Sequence, residues 1–195
     1  MSGGTITTLT STDFPAVLAL NNANAAATSA LDLAGLTELV EQACYARGVG
    51  AGGDGFLIAM DQNAAYDSPN FLWFRQRHDR FLYIDRIVIS ARARGQGHAR
   101  RLYEDLFACA SRLGHTVVGC EVNSNPSNPV SDAFHSALGF EVVGSAVLQG
   151  PRAYAITSVR SDPARQVGRA PRSPREAHGP TNFCRWNTIT GEFGL

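Results

Sequence analysis

An α/β fold of the mixed-sheet (α+β) kind is what the sequence predicts, on three observations. One long segment repeats its apolar residues at helical spacing. Several short runs are β-branched or aromatic, and the elements follow in the order helices, strands, helix, strand, helix, strand. The 195 residues, 44% hydrophobic and 17% charged, suffice for a single core of ordinary size.

The first helix is expected after Ser11, Thr12 and Asp13, whose oxygens would cap it, with Phe14, Val17, Leu18 and Leu20 on one face. A second places Leu33, Leu36, Leu39, Val40 and Ala43 at helical spacing and is expected to end at Gly48. Residues 50–55 form a glycine-rich turn into an apolar strand at 56–60, and a polar, aromatic insertion follows at 66–78. Ser68-Pro69 starts a short helix there, carrying Phe71, Leu72 and Phe74. The strand at 81–89 is interrupted by Asp85-Arg86, which predicts a bulge. From 97 to 113 runs the best helix, with Ala99, Leu102, Tyr103, Leu106, Phe107 and Ala110 on its apolar face and Gly114 as its stop. A buried strand at 116–122 ends in the turn formers of 123–129, then come a helix at 129–138, the stop Gly139, and a strand at 140–148.

Composition removes several kinds of function. Seventeen basic residues balance seventeen acidic ones, so no net field draws the chain to nucleic acid or an anionic membrane, and neither is expected as a partner. Every basic residue is arginine, which excludes lysine Schiff bases and phosphate-loop lysines. Cys44, Cys109, Cys120 and Cys184 lie far apart without histidines at ligand spacing, so no metal is expected, and Cys109 and Cys120 read as core thiols. With no leader-like start and no long apolar run, a reducing cytoplasmic setting is expected. Residues 1–159 form the expected domain, with eleven arginines against fourteen acids. Residues 160–195 reverse that balance to six against three, and their Arg, Pro, Ser and Gly content through 180 predicts a disordered tail.

The chemistry is concentrated in residues 90–99, Ser-Ala-Arg-Ala-Arg-Gly-Gln-Gly-His-Ala, between a strand and a helix. Two glycines permit unusual torsions and close approach, and the following helix turns its unpaired N–H groups toward the loop, which suits a phosphate. Arg92 and Arg94 can add charge, or stand as solvated loop residues. A dinucleotide fingerprint fails because Arg100 stands where a small residue must pack, and the phosphate-loop motif lacks both its spacing and its lysine.

Arg94, Gly97 and Ala99 match the pattern of Arg or Gln, two residues, Gly, one residue, then Gly or Ala, and a later Asn128 to Leu138-Gly139-Phe140 pairing follows in order. On these motifs the chain resembles the GNAT N-acetyltransferase superfamily over roughly residues 5–159. Tyr66-Asp67-Ser68-Pro69-Asn70-Phe71 and Tyr83-Ile84-Asp85-Arg86 look like a bacterial subgroup of it. The resemblance implies the GNAT acyl-CoA N-acyltransferase fold, a central twisted mixed sheet flanked by helices. It implies acetyl-CoA as co-substrate, its pyrophosphate held by the backbone of Gly95, Gln96, Gly97, His98 and Ala99 beside the coenzyme-binding Arg94, and its pantetheine arm pairing with Ile87, Val88 and Ile89. Asn128 is a further coenzyme contact on this reading, or only a turn residue. Family members often carry a tyrosine acid four residues before the glycine of the Gly-Phe ending; here His135 stands there, as acid or as a packed helix residue. Glu121 is the candidate base for the amine proton, or a solvent-facing strand residue. Asp67, Asn70, Tyr83 and Asp85 could line the acceptor pocket, unless the insertion is a lid held by Phe71, Trp73 and Phe74.

Acetyl transfer to a small-molecule amine is therefore the expected function, with a non-catalytic acyl-CoA-binding module and a protein N-acetyltransferase as alternatives. A homodimer stays open, since pairing edge strands leave no distinct sequence signature. One departure concerns the C-terminus. The subgroup closes with a strand like Val-Arg-Tyr, whereas residues 153–159 read Ala-Tyr-Ala-Ile-Thr-Ser-Val. Permissible codons for these residues give Val-Arg-Tyr in another frame, which suggests a change of frame after about Arg152.

Overall fold

The computed structural model describes residues 4–147 and 153–160, and the tail expected beyond Arg160 lies outside them. Strand β1 (Ile6–Thr8) leads into α1 (Phe14–Asn22), α2 (Ala25–Thr28) and α3 (Leu33–Gln42). Then follow β2 (Tyr45–Val49), β3 (Gly55–Asp61), α4 (Pro69–Arg75), β4 (Phe81–Ile89), α5 (His98–Leu113), β5 (Val117–Asn125), α6 (Pro129–Ala137), β6 (Glu141–Val147) and β7 (Ala153–Arg160). The seven strands form one sheet in the order β1-β2-β3-β4-β5-β7-β6. Its pairs are antiparallel except β4 with β5, which is parallel, so the expected mixed sheet is present.

Three local expectations are corrected. Asp13 does not cap α1: its carboxylate accepts the Thr10 N–H at 2.8 Å and the Thr10 hydroxyl at 2.9 Å, fastening the preceding turn, while Pro15 starts the helix. Helix α3 stops at Gln42 rather than near Gly48, because Tyr45, Gly48 and Val49 are buried in a strand paired on both sides, with Ile6–Thr8 and with β3. Tertiary pairing here overrides a helical reading of short apolar spacing. Strand β5 also runs on to Asn125, where turn formers were expected.

Alternation along the strands gives two cores. On one face Leu82, Ile84, Val118, Cys120 and Val122 meet Leu102, Leu106 and Phe107 of α5 and Phe140; on the other Phe56, Ile58, Met60, Phe81 and Tyr83 meet Val17, Leu36, Phe71 and Phe74. Phe71 and Phe74 are fully buried, so α4 is a piece of the core and no lid. A Cβ at Gly119 would fall 2.2 Å from the Phe74 ring, which is how closely α4 sits on β5. Strand β7 forms from the residues as they stand, with Ile156 buried and Thr157 Oγ1 lying 3.2 Å from Cys120 Sγ. Cys109 and Cys120 are buried free thiols, and burial pushes Cys120 up to about 12. Among the described residues no helix is long and apolar enough to cross a membrane, and no group of three or more ligating side chains could hold a metal ion.

Candidate active site

Two strands that begin as neighbours and then part create the site. Strands β4 and β5 pair only through Phe81↔Val117, Leu82↔Val118 and Tyr83↔Gly119, although they continue to Ile89 and Asn125. Opposite β3, the register shifts so that Ile58 faces Arg86 and Ala59 faces Ile84, leaving Asp85 as the extra residue of the expected bulge. Beyond Tyr83, the β5 side of β4 has no strand partner among the described residues, and Ile87, Val88 and Ile89 lie along that gap.

At the gap's far end stands the glycine loop. Gly95 and Gly97 have φ of 75° and 78°, a left-handed conformation that favours glycine, and Gly97 is the N-cap of the 16-residue helix α5. A Cβ at either glycine would meet nothing within 4 Å, so the loop is held open by backbone conformation rather than filled. Arg92 pairs with Asp54 at 2.8 Å, Gln96 Nε2 donates to the Arg92 carbonyl at 2.9 Å, and Arg94 is exposed with Nε 3.4 Å from the Ile89 carbonyl. His98 turns its ring inward beside the Arg101 guanidinium, so its backbone alone belongs to the loop. An open left-handed loop, a helix N-terminus and an exposed arginine fit a pyrophosphate. The unpaired stretch of β4 fits an extended amide-bearing arm.

Beneath the gap, on the α1–α4 face, lies a polar cluster. The Tyr83 hydroxyl donates to Glu121 Oε2 at 2.6 Å. Burial pushes Glu121 up to about 7; the Asp85 charge adds to the rise, and hydrogen bonds from Tyr83 and Asn70 hold it back. An edge of Glu121 stays accessible although its carboxylate is closely surrounded. Asn70 is 3% exposed and its Oδ1 has no hydrogen-bond partner among the described residues. Asp85 is committed: it takes Arg86 Nε at 2.6 Å and the Tyr66 hydroxyl, and Arg86 Nη1 donates to Asn21 Oδ1 at 2.9 Å. Asn70, Tyr83, Asp85 and Glu121 thus come together as neighbours, while Asp67 stays exposed on the loop before α4. Asn21 was not anticipated, and its only signal is a polar pair, Asn21-Asn22, closing an apolar helix.

The α5–α6 face holds His135. Its ring is 5% exposed, packed edge-on against Tyr103, Phe134 and Phe140. Nδ1 donates to the Ser131 carbonyl at 2.8 Å, so Nε2 accepts the Tyr103 hydroxyl at 2.7 Å. Burial lowers its pKa, which keeps the ring neutral at neutral pH. Both nitrogens are spent, and the geometry offers no proton for a departing thiolate. A cavity of about 630 Å³ borders this ring, lined by Val122, Asp132, Glu141 and Thr157 among others but not by Glu121. Asn128 caps α6, its Oδ1 accepting the Ser131 N–H at 3.1 Å, which gives it the turn role rather than an evident coenzyme contact.

Comparison with known proteins agrees with this architecture. A family model described as the acetyltransferase (GNAT) family matches residues 64–140. L-2,4-diaminobutyric acid acetyltransferase of Wolinella succinogenes is 35% identical over 69 residues, 35% of this chain; the match spans 40% of that protein's length. A putative acetyltransferase from Salmonella typhimurium, solved with its cofactor acetyl-CoA, superposes with a TM-score of 0.62 at 19% identity over 88% of this chain and 99% of that one. The ribosomal-protein-S18-alanine N-acetyltransferase from Escherichia coli gives 0.55 at 18% identity over 81% and 94%. At such identities the structures speak for the fold, and the matched segment supplies the loop, the parted strands and α6. Fold, loop and family model thus agree: the chain is similar to the acetyltransferase (GNAT) family over residues 64–140, and its fold is that of solved acetyltransferases over most of its described length.

Proposed function

We propose that this chain transfers an acetyl group from acetyl-CoA to a primary amine of a small molecule. The observation that carries the reading is the gap between β4 and β5, which joins the open glycine loop at one end to Glu121 at its root. When bound, acetyl-CoA supplies an acyl carbon activated as a thioester. The loop backbone at residues 94–99 holds the pyrophosphate, with Arg94 at its mouth, and the unpaired groups of Ile87, Val88 and Ile89 hold the arm extended. Glu121, pushed up to about 7, accepts the proton of the incoming ammonium near neutral pH. The N–C bond then forms as the C–S bond breaks, the electron pair leaving with sulfur and the second amine proton passing to that thiolate, and no covalent enzyme intermediate is required. His135 holds α6 against Tyr103 and is a positioning residue here.

A small acceptor is favoured by the enclosed cluster beneath α4 and by the activity for which the Wolinella relative is named. The test is calorimetric titration of acetyl-CoA into the full chain, followed by product analysis with 2,4-diaminobutyrate, butylamine and an alanine-initiated peptide. Saturable binding with acetylation of the free amines is expected. Acetylation of the peptide alone would replace the reading with a protein N-acetyltransferase, and binding without any product would replace it with an acyl-CoA-binding module.

A further inference from the structure

Resting on that reading, we infer that the acceptor is a primary amine with no carboxylate on the adjacent carbon, its ammonium docked between the Asn70 Oδ1 carbonyl oxygen and Glu121. Asn70 is 3% exposed, fixed on α4 beside the fully buried Phe71, and its Oδ1 is a buried acceptor without a donor among the described residues. Its amide N–H already supports Glu121, which fixes which end of the side chain is spent. The neighbouring polar atoms have answered one another: Tyr83 donates to Glu121, Tyr66 and Arg86 donate to Asp85, and Arg86 also donates to Asn21. A ligand that completes the site must therefore bring donors. Next to the Glu121 carboxylate the donor that gains most is a cation, and an ammonium carries three N–H groups, enough to serve Asn70 and Glu121 together.

Charge decides what else the acceptor can carry. Arg86 is the cation of this cluster, and its Nε and Nη1 are committed to Asp85 and Asn21. A carboxylate one carbon from the reacting amine would be brought toward Glu121 and Asp85, where the one guanidinium at hand, Arg86, already answers the Asp85 charge and water screens poorly. The amines of α-amino acids are disfavoured on that account. Amines on a methylene chain, or beside a neutral amide, are accepted. In a diamino acid the same argument selects the amine far from the carboxylate.

The experiment is calorimetric titration of alaninamide, butylamine and alanine into the full chain saturated with coenzyme A. Alaninamide and butylamine are expected to bind at least about tenfold more tightly than alanine. Asn70→Leu is expected to weaken alaninamide by at least about tenfold while its affinity for acetyl-CoA stays within about twofold. Alanine binding as well as alaninamide, or an Asn70→Leu protein that binds alaninamide like the wild type, overturns the inference. Should the variant not fold, the ratio of alaninamide to alanine in the wild type decides alone. Failure of the transferase reading is separate: it shows as absence of acetylated alaninamide while the binding ratio stands.

Discussion

On the α5–α6 side of the parted strands, His135 is buried with both ring nitrogens answered; on the α1–α4 side, Asn70 is buried as deeply and one of its polar atoms is not. Both are polar residues in dry surroundings, and both were candidates on sequence. The difference lies in satisfaction. A group whose hydrogen bonds are closed within the protein adds to stability, whereas one left open beside an accessible carboxylate can still be completed by a ligand. Glu121 belongs with the second kind: its anionic form is made costly by burial, and only neutral donors, from Tyr83, a backbone N–H and Asn70, support it.

Breaking the closed part of the polar face should give the largest effect. Arg86→Met leaves the Asp85 carboxylate buried without its cation, and urea unfolding should report a loss of about 3–5 kcal/mol. Glu121→Gln keeps the shape but removes the proposed base, so the rate of acetyl transfer should fall by roughly 100-fold or more while acetyl-CoA titration is unchanged. Gly97→Trp puts a side chain where φ is 78° and where the loop is open, and it should weaken acetyl-CoA by about tenfold or more by calorimetry. His135→Ala sharpens the comparison from the other side. It strands the buried Tyr103 hydroxyl and should cost about 1–3 kcal/mol in unfolding, with transfer rates falling less than about tenfold. The smallest effect is on pH dependence. Glu121 is raised from 4.5 to about 7, so the folded state binds its proton more tightly than the unfolded chain does. The stability this contributes is full below pH 4.5 and is lost as pH rises through about 7, while transfer rises over the same upper range. Glu121→Gln should flatten both slopes.

The parts of the fold legible in the sequence were those whose signal is local. Helix α5 repeats its apolar residues over four turns between Gly97 and Gly114, and the Asp85-Arg86 interruption marked the bulge. Strand β2 was missed because its pairing partners, β1 and β3, lie on either side of it in space and only the second is near in sequence pattern. The glycine loop was visible for the same local reason as α5. Tyr83 with Glu121, and Arg86 with Asn21, were not visible as pairs, since 38 and 65 residues separate their members and only the folded sheet brings them together. Sequence placed His135 by its distance from Gly139, but spacing carries no information about what fills its two nitrogens.

The seven strands hang together across one seam. Antiparallel strands β1 to β4 make one slab, β5 to β7 make another, and Phe81↔Val117, Leu82↔Val118 and Tyr83↔Gly119 are the rungs that join them. Past those rungs the two slabs are held to each other by the helices packed across both faces, α5 on one and α4 on the other, and not by the sheet's own hydrogen bonds. Whatever lies in the opening acts as a splint between the slabs. Amide hydrogens of β5 and β7 should exchange faster than those of β3 in the free protein, and the two rates should converge when acetyl-CoA is added, because the arm of the donor restores the rungs that the chain omits.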